Sequence, residues 1–244
     1  MCVNRKLTAE AARRGSAEAV TRSVLERSPP NAYVHASFPM NTPLKRSNCD
    51  RCLRPQHFCL CSHIPLVRNQ TRILVLQHES ERKHALNTAR LAVLGLEQAE
   101  IWIGEAFPEL AARVSDAHHA YMLFPGDGAV TPQAVQRGGA SASMPDLLIV
   151  PDGTWRKARK VLHANPILAT LPRMALAGTS PSTYRLRKAS EPDALSTIEA
   201  IVQTLGALEP HRDFSPLLKP FNVLIEQQIA SMGAAVYTRN YRSR

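Results

Sequence analysis

The sequence predicts an α/β protein whose mostly parallel sheet carries helices on its faces. Apolar strand-like runs alternate with helical segments, residues 147–150 form an uninterrupted apolar run, and the last third holds two amphipathic stretches. An uninterrupted run suits a strand covered on both faces, and alternation of strands with helices is typical of parallel sheets. The length of 244 residues and the 44% hydrophobic content fit one or two domains with a substantial core.

Composition divides the chain into four segments. Residues 1–45 carry weak helical signals and scattered prolines, which favour a loosely ordered N-terminal extension. Residues 46–70 contain a cysteine cluster, residues 71–232 form the main folded domain, and residues 233–244 are a basic tail. In that tail, tyrosines interleaved with arginines suit stacking on bases and pairing with phosphates, and a frayed chain end is the alternative.

Hydrophobic periodicity places each element of the main domain in turn. Strands are predicted at four apolar runs: residues 72–77, 100–104, 121–124 and 147–150. Helices are predicted at four places: residues 87–96, the segment after Trp155, residues 196–208 and residues 217–229. Ser196 and Glu199 fit a capping box at the start of the third helix. A glycine-rich loop near residues 138–141 precedes the fourth strand.

Four of the five cysteines cluster in the pattern Cys49-x2-Cys52-x6-Cys59-x-Cys61. Thiolates at such short spacings can close a tetrahedral shell around Zn²⁺, and a full shell indicates a structural role. Two disulfides or an iron–sulfur site are the alternatives, and a reducing compartment disfavours the disulfides. His57 and His63 are close enough in sequence to replace one thiolate.

Polar side chains follow the apolar run 147–150: Asp152, Gly153, Thr154 and Trp155. Ligands of α/β proteins bind at the carboxyl ends of strands, so this turn is a candidate site. Gly153 would let backbone approach a ligand, Thr154 can donate a hydrogen bond or cap the next helix, and Trp155 offers an indole for stacking. The alternative interpretation is structural, with a capped turn and an indole packed in the core.

The charge distribution favours a polyanionic partner. The formal net charge is +10, from 30 basic and 20 acidic residues, and the isoelectric point is near 9.8. Charge alone does not separate RNA from DNA or a membrane surface. Residues 153–190 lack acidic side chains and contain Arg156, Lys157, Arg159, Lys160, Arg173, Arg185, Arg187 and Lys188. We predict a basic field beside the candidate site, with a solvated helix face as the alternative for Lys157 and Lys160.

The sequence also bears on compartment. No apolar run approaches the roughly 20 residues that cross a bilayer. The first residues are polar, and arginines interrupt the stretch in which a signal sequence would need apolar residues. We therefore expect a cytoplasmic protein with no membrane association.

Several short fragments follow one another in a specific order. After the cysteine cluster these are Gln77-His78-Glu79-Ser80-Glu81, Asn87-Thr88-Ala89-Arg90-Leu91, Leu123-Phe124-Pro125, Asp152-Gly153-Thr154-Trp155, Tyr184-Arg185-Leu186-Arg187-Lys188 and Leu195-Ser196-Thr197-Ile198-Glu199-Ala200. Together they resemble the DTW-domain family over about residues 46–210, and the naming signature Asp-x-Thr-Trp is intact. Glu79 departs from the family pattern, in which proline often follows the histidine, and the N-terminal extension lies outside the shared domain.

The resemblance implies a tRNA-uridine aminocarboxypropyltransferase, related to the SPOUT class of knotted α/β enzymes. Such an enzyme transfers the 3-amino-3-carboxypropyl group of S-adenosylmethionine to N3 of a tRNA uridine, forming acp³U and releasing 5′-methylthioadenosine. S-adenosylmethionine would be the co-substrate, tRNA the partner and Zn²⁺ a structural ion, and no stable protein partner is inferred. Periodicity does not indicate a knot, and knots are rare.

The resemblance and the charge pattern together assign groups of site residues. The catalytic group would be Asp152, Thr154 and Trp155. The group that binds S-adenosylmethionine would be His78, Glu81, Thr88, Phe124, Pro125, Gly153, Tyr184, Arg185 and Arg187. The tRNA-binding group would be Arg156, Arg159, Lys160 and Lys188, and the metal ligands Cys49, Cys52, Cys59 and Cys61. For His78, a hydrogen-bonded structural role is the alternative.

The implied reaction needs a proton acceptor, because the proton on uridine N3 must leave as the new bond forms. Asp152 is the candidate base, and Glu81 is its neighbour or an alternative base. A carboxylate with a pKa of about 3.9 is a weak base toward an imide, so burial or a second carboxylate would have to raise it. Binding of the donor's ammonium group or ribose is the alternative role for Asp152.

Two other functions remain compatible with the sequence. A methyltransferase of the same fold superfamily would release S-adenosylhomocysteine instead of methylthioadenosine. A zinc-stabilised RNA-binding module would bind RNA without catalysis. Replacement of Asp152 separates the module from an enzyme, because a pure binder has no turnover to lose.

Overall fold

The computed structural model describes residues 47–138, 143–177 and 195–242, all within one compact unit. The predicted N-terminal extension and four predicted site residues lie outside the described residues: Tyr184, Arg185, Arg187 and Lys188. Within the described ranges, the longest helices are too short or too polar to cross a membrane.

A parallel sheet forms the centre of this unit. Its strands are β1 (Arg72–Gln77), β2 (Ala99–Ile103), β3 (Ala120–Leu123), β4 (Leu147–Asp152) and β5 (Arg173–Met174). They lie in the order β2-β1-β4-β3-β5, and every neighbouring pair is parallel. The predicted α/β class with a parallel sheet is therefore confirmed, and β4 is the central strand.

Helices complete the fold of the described residues. They are α1 (Thr88–Gly95), α2 (Leu110–Ser115), α3 (Pro132–Gln136), α4 (Trp155–Ala164), α5 (Thr197–Leu208), α6 (Leu218–Met232) and α7 (Ala234–Tyr237). Side chains fix several helix starts, since Asn87 and Thr131 accept hydrogen bonds from the first turns of α1 and α3. Ser196 and Glu199 form the predicted capping box of α5.

The two faces of the sheet are covered by different helices. Alternate residues of β1 and β4 contribute to two core clusters, because successive side chains of a strand point to opposite faces. One cluster contains Ile73, Val75, Leu148 and Val150 together with apolar residues of α1, α3, α5 and α6. The other contains Leu74, Leu76, Leu147 and Ile149 together with residues of α2 and α4. The uninterrupted apolar run of β4 thus reflects burial on both faces.

The structure adds elements that periodicity did not predict. The four predicted strands and the four predicted helices are present within a few residues of their expected bounds. Four further elements, α2, α3, α7 and β5, have six, five, four and two residues. Segments of this length span too few positions to establish a hydrophobic period.

The C-terminal segment packs against the core, which corrects the interpretation of a frayed tail. After α7, residues Thr238–Arg242 form a π-helical turn. The rings of Tyr237 and Tyr241 stack with centroids 5.8 Å apart and pack against the larger core cluster. Part of each ring is therefore covered by packing within the protein.

Candidate active site

The carboxyl ends of β1 and β4 border a crevice. The connection from β1 runs through α1 to β2, whereas the connection from β4 runs through α4 toward β5 on the other side of the sheet. Because α1 and α4 also cover opposite faces, the two connections diverge between these neighbouring strands. Parallel α/β sheets bind ligands at such a switch point.

Asp152 ends β4 at this crevice, and it is buried with 8% of its surface exposed. It aligns with Gln77, the last residue of β1, and Gln77 Nε2 donates a hydrogen bond of 2.8 Å to Asp152 Oδ2. The Thr197 hydroxyl, at the first residue of α5, donates to the other carboxylate oxygen. Elements distant in sequence therefore hold one carboxylate in a fixed orientation.

Burial raises the pKa of Asp152 above its ordinary value of 3.8. The hydrogen bonds from Thr197 and Gln77 act in the opposite direction, and the nearby charge of Glu81 raises the pKa further. A carboxylate with a raised pKa is a stronger proton acceptor than a free one. The two causes considered from the sequence, burial and a second carboxylate, are thus both present.

Asn87 fixes the orientation of Gln77. Asn87 Oδ1 accepts from Gln77 Nε2 at 3.1 Å, and Asn87 Nδ2 donates to Gln77 Oε1 at 3.2 Å. Asn87 Oδ1 also accepts from the backbone of Arg90 and so caps α1. The Gln77 amide therefore presents its NH₂ group, and not its oxygen, to Asp152.

The turn after β1 packs against the turn after β4. Glu81 Oε1 accepts from Lys157 Nζ at 2.6 Å, which links this turn to α4. His78 is buried, its Nδ1 accepts from the Ser80 backbone at 3.2 Å, and its Nε2 lies 2.7 Å from Glu105 Oε1. These contacts support the structural alternative for His78.

Gly153 allows the two turns to approach closely. Its φ of +147° lies in a region that side chains other than glycine rarely adopt. A Cβ at this position would lie 3.1 Å from Lys157 Cβ, 3.6 Å from Glu81 Cγ and 3.7 Å from His78 Cβ. Glycine therefore keeps Glu81 close to the strand that ends in Asp152.

Trp155 is a surface residue, which excludes the interpretation of a core indole. It is 41% exposed, and the ring of Phe124 contacts it edge to face with centroids 5.4 Å apart. Thr154 occupies the N-cap position of α4 without a side-chain capping bond, so the expected cap is not formed. An aromatic surface and a hydroxyl therefore lie beside Asp152, at the carboxyl ends of β3 and β4.

The other predicted residues occupy varied positions. Arg156, Arg159 and Lys160 are exposed on α4, and Lys160 Nζ lies 3.9 Å from Glu105 Oε1. Thr88 is buried at the start of α1, and Pro125 is exposed after β3. The solvated-face interpretation fails for Lys157, since its ammonium group is paired with Glu81.

Sequence reasoning missed three residues that orient Asp152: Gln77, Asn87 and Thr197. Gln77 had a signal, because a polar residue ended an otherwise apolar strand. Asn87 and Thr197 lie at or near the starts of predicted helices, and their contacts with Gln77 and Asp152 depend on tertiary packing. Hydrophobic periodicity along the sequence does not indicate that α5 begins beside the end of β4.

The four clustered cysteines converge in space. All four sulfur atoms lie within 4.8 Å of one another, with Cys49 and Cys61 3.5 Å apart and Cys52 and Cys59 3.8 Å apart. A tetrahedral zinc site with bonds of about 2.3 Å needs sulfur atoms about 3.8 Å apart. The geometry fits that ion, and all four are free thiols, as the metal interpretation requires. His57 and His63 do not belong to this group of ligand atoms.

The local backbone explains why the first thiol ionises readily. Backbone N–H groups of Cys52 and Arg51 stabilise the thiolate and lower the pKa of Cys49 to about 6. Burial and hydrogen bonds to the other sulfur atoms raise the pKa of Cys61 to about 12. Cys49 is thus favoured as the first thiolate of the cluster, and a bound metal would supply positive charge that favours ionisation of Cys61 as well.

The arrangement defines a class of protein, namely an α/β protein with a buried carboxylate at its switch point and a separate four-cysteine centre. The family model of the DTW domain matches residues 46–229. The chain therefore belongs to the DTW-domain family, and the matched region includes the cysteine cluster.

Curated relatives are similar over most of the chain. The Drosophila melanogaster protein named tRNA-uridine aminocarboxypropyltransferase 2 is 29% identical over 197 residues, covering 77% of this chain and 77% of the relative. The Mus musculus protein of the same name is 28% identical, covering 79% and 67%. The Arabidopsis thaliana tRNA-uridine aminocarboxypropyltransferase A is 28% identical, covering 68% and 74%. No solved structure matches the chain significantly.

Proposed function

We propose that this chain is a tRNA-uridine aminocarboxypropyltransferase. It transfers the 3-amino-3-carboxypropyl group of S-adenosylmethionine to N3 of a tRNA uridine, giving acp³U and 5′-methylthioadenosine. The main support for this proposal is the buried Asp152 at the switch point, within an intact Asp-x-Thr-Trp signature. Family membership and the names of the relatives support the same reaction.

Asp152 accepts the proton of uridine N3 in this proposal. The N3–carbon bond forms as the carbon–sulfur bond of the donor breaks, and that electron pair stays on the sulfur of methylthioadenosine. The raised pKa of Asp152 suits a base. Its fixed orientation suits removal of the N3 proton while the uridine is held in one position for attack on the donor carbon. Thr197 and Gln77 stabilise the carboxylate before transfer and position it throughout.

The surface beside Asp152 suits a planar ring. Trp155 and Phe124 present an edge-to-face pair, and aromatic rings bind bases by stacking. We assign Trp155 and Thr154 to the catalytic group, because they adjoin Asp152 in the signature. Phe124, Pro125 and Gly153 border the same edge of the sheet and are assigned to the donor.

The remaining assignments are proposed by group. Glu81, His78 and Thr88 are assigned to the donor pocket, with His78 and Glu81 acting through the turns that they hold. Tyr184, Arg185 and Arg187 are assigned to the donor, and Lys188 to tRNA, by resemblance. Arg156, Arg159 and Lys160 present positive charge on α4 beside the signature, which favours contacts with tRNA phosphates.

The fold is proposed to be SPOUT-like. Support comes from the strand order β2-β1-β4-β3-β5, in which the fourth strand is inserted between the first and third. After β5, beside β3, the chain returns to the centre of the sheet, where Thr197 contacts Asp152.

Zn²⁺ is the proposed structural ion at the cysteine centre. Four thiolates complete a tetrahedral shell, so no coordination position is left for substrate. This centre stabilises the segment preceding β1 and takes no part in the transfer. Reduced thiols and a tRNA substrate both favour the cytoplasm as the place of reaction.

The test incubates purified protein with S-adenosylmethionine and unmodified tRNA, and follows digested nucleosides by mass spectrometry. Formation of acp³U together with methylthioadenosine is expected. A methylated nucleoside with S-adenosylhomocysteine would instead identify a methyltransferase. Tight tRNA binding without either product, across tRNAs that lack acp³U, would favour the non-catalytic binding module.

A further inference from the structure

A groove of about 420 Å³ lies between the cysteine loop, the segment that follows Glu81, and α6. Several basic side chains line it: Arg54, Arg82, Lys83, His84 and Arg90. The described lining residues include no aspartate or glutamate. A concave surface lined by positive charges attracts an anion, because its low-dielectric walls concentrate the electrostatic field.

The groove adjoins the candidate active site. Asn87 lines the groove, and its side chain is hydrogen-bonded to Gln77, which in turn donates to Asp152. The groove and the carboxylate are thus separated by two side chains. Asn87 thus connects the wall of the groove to the candidate active site through Gln77.

The cations of the groove are weakly neutralised. The Nε atom of Arg90 is buried and makes no hydrogen bond within the described residues. Burial, followed by repulsion from Arg82, lowers the pKa of Arg90. Arg54 donates to backbone carbonyls of Phe58 and Ala85 and to Gln227 Oε1, and the negative charge that acts on it comes from Cys52 and Cys59 of the cysteine centre. Arg82 Nη1 lies 3.9 Å from Glu79 Oε1, and both side chains are more than half exposed.

The groove also offers apolar surface. Leu53, Phe58 and Leu224 contribute to its walls, and Leu53 is 37% exposed. Inorganic phosphate would use the cations alone, whereas a nucleotide would use both the cations and the apolar surface. Single-stranded RNA is bound by cations together with aromatic rings, and Phe58 is the aromatic residue of this lining.

We propose that this groove binds the phosphodiester backbone of the tRNA substrate, next to the uridine that reacts at Asp152. The inference rests on the proposed function, and it adds a second RNA surface to the one predicted on α4. The nucleotides flanking the target uridine lie in the groove, with their phosphates on Arg54, Arg90, Arg82 and Lys83.

The test compares two double variants of the full-length protein that remove equal charge. Arg82→Gln with Lys83→Gln removes two exposed cations of the groove. Arg68→Gln with Lys219→Gln is the control, because Arg68 precedes β1, and Lys219 lies in the first turn of α6, away from the groove residues Leu224 and Gln228. Circular dichroism checks that both variants keep the fold.

Affinity for unmodified tRNA is measured at several salt concentrations. The groove variant is expected to bind roughly tenfold more weakly, with the slope of log K against log salt reduced by about 1.4, since each contact with a single strand contributes about 0.7. The control is expected to stay near wild type, and the KM for S-adenosylmethionine should not change in either variant. Equal affinity and slope in the two variants would refute the groove assignment.

The proposed function is judged separately, on the wild-type protein. A wild type that forms no acp³U would refute that function. The binding comparison would then still decide whether the groove holds RNA, because it requires no turnover.

Discussion

Asp152 is buried at the end of the central strand, and its burial has a consequence for stability as well as for chemistry. The folded protein binds the Asp152 proton more tightly than the unfolded chain does, because burial raises the pKa above 3.8. The contribution of this group to stability is therefore greatest below that pH and falls as pH rises through the raised pKa. The fold thus keeps a carboxyl group whose ionisation costs stability, which suits a functional residue.

Replacement of Asp152 by asparagine should remove the base and leave the fold intact. We expect acp³U formation to fall by about 10² to 10⁴-fold, the usual contribution of a general base, with unchanged affinity for tRNA. Asp146→Asn is the matched control, because Asp146 lies just before the other end of β4 and pairs with Arg72. Single-turnover assays and equilibrium binding measure the two effects. Full activity of the Asp152 variant would exclude it as the base.

The pH profile separates the groups that set the pKa of Asp152. Glu81→Gln removes a charge that raises this pKa, so the acid limb of kcat/KM should move to lower pH. Thr197→Val removes a hydrogen bond that lowers it, so the acid limb should move to higher pH. Values of kcat/KM measured across the acid range for the wild type and the two variants check the direction of each shift. Shifts of both variants in one direction would show that another group controls the limb.

The residues of this site differ in how far sequence predicts them. The sequence predicted Asp152 as a site residue because it follows an apolar run. Its position at the end of a strand follows from chain order alone. The sequence did not predict Thr197 as a site residue, because its hydroxyl contacts Asp152 only through the packing of α5 beside β4. Trp155 was undecided between core and surface, and its exposure depends on how Phe124 packs beside it.

At the scale of elements, the cysteine loop is a turn whose backbone hydrogen bonds hold the cysteines close together. The Cys49 carbonyl accepts from the Leu53 backbone at 2.8 Å, and Leu53 has a positive φ of 60°. Arg54 then links this loop to the chain near Ala85 and to Gln227 of α6. Loss of the loop would therefore disturb contacts that reach the main domain.

Replacement of the buried Cys52 by serine should release the metal and destabilise the protein. We expect a loss of about 4 kcal/mol or more in the free energy of unfolding, because loss of a structural metal is among the most damaging single changes. Cys2→Ser is the control, since Cys2 lies outside the cluster sequence. Metal analysis should find one zinc per wild-type chain. A full complement of zinc in the Cys52 variant would refute the ligand assignment.

Elements with several turns or buried strand residues were predictable, and short ones were not. Continuous apolar runs, which reflect burial on both faces of the sheet, made β1 and β4 evident. By contrast, β5 contains two residues, and its pairing with β3 is set by the chain that precedes it. The strand order also depends on which face of the sheet each connecting segment crosses. A single sequence does not indicate that face.

Over the whole molecule, α5 joins the two ends of the sheet. Its first residue, Thr197, contacts Asp152 at the carboxyl edge, and Glu209 at its C-cap accepts from the backbone of Gln70 and Thr71 before β1. A helix of 12 residues is about 18 Å long, which matches a six-residue strand of about 20 Å. One end of α5 thus serves the site and the other end anchors the sheet.

This division of roles predicts opposite outcomes at the two ends of α5. Glu209→Ala leaves two backbone N–H groups without their acceptor near a buried position, so we expect a loss of about 2 to 4 kcal/mol in stability. Thr197→Val should change stability less and should change the pH dependence of turnover instead. Denaturant unfolding and steady-state kinetics on both variants give the comparison. Glu209→Gln, which keeps an acceptor oxygen, should recover part of the lost stability.

Turnover of the Glu209→Ala variant, measured where it remains folded, should stay within about twofold of wild type, because sites without shared partners act nearly independently. A large fall in kcat with the fold intact would mean that α5 moves as a rigid body and carries Thr197 away from Asp152. The acid limb of such a variant would then shift upward like that of Thr197→Val, since the same hydrogen bond would be lost. An unshifted limb would leave Glu209 as an anchor of the sheet alone.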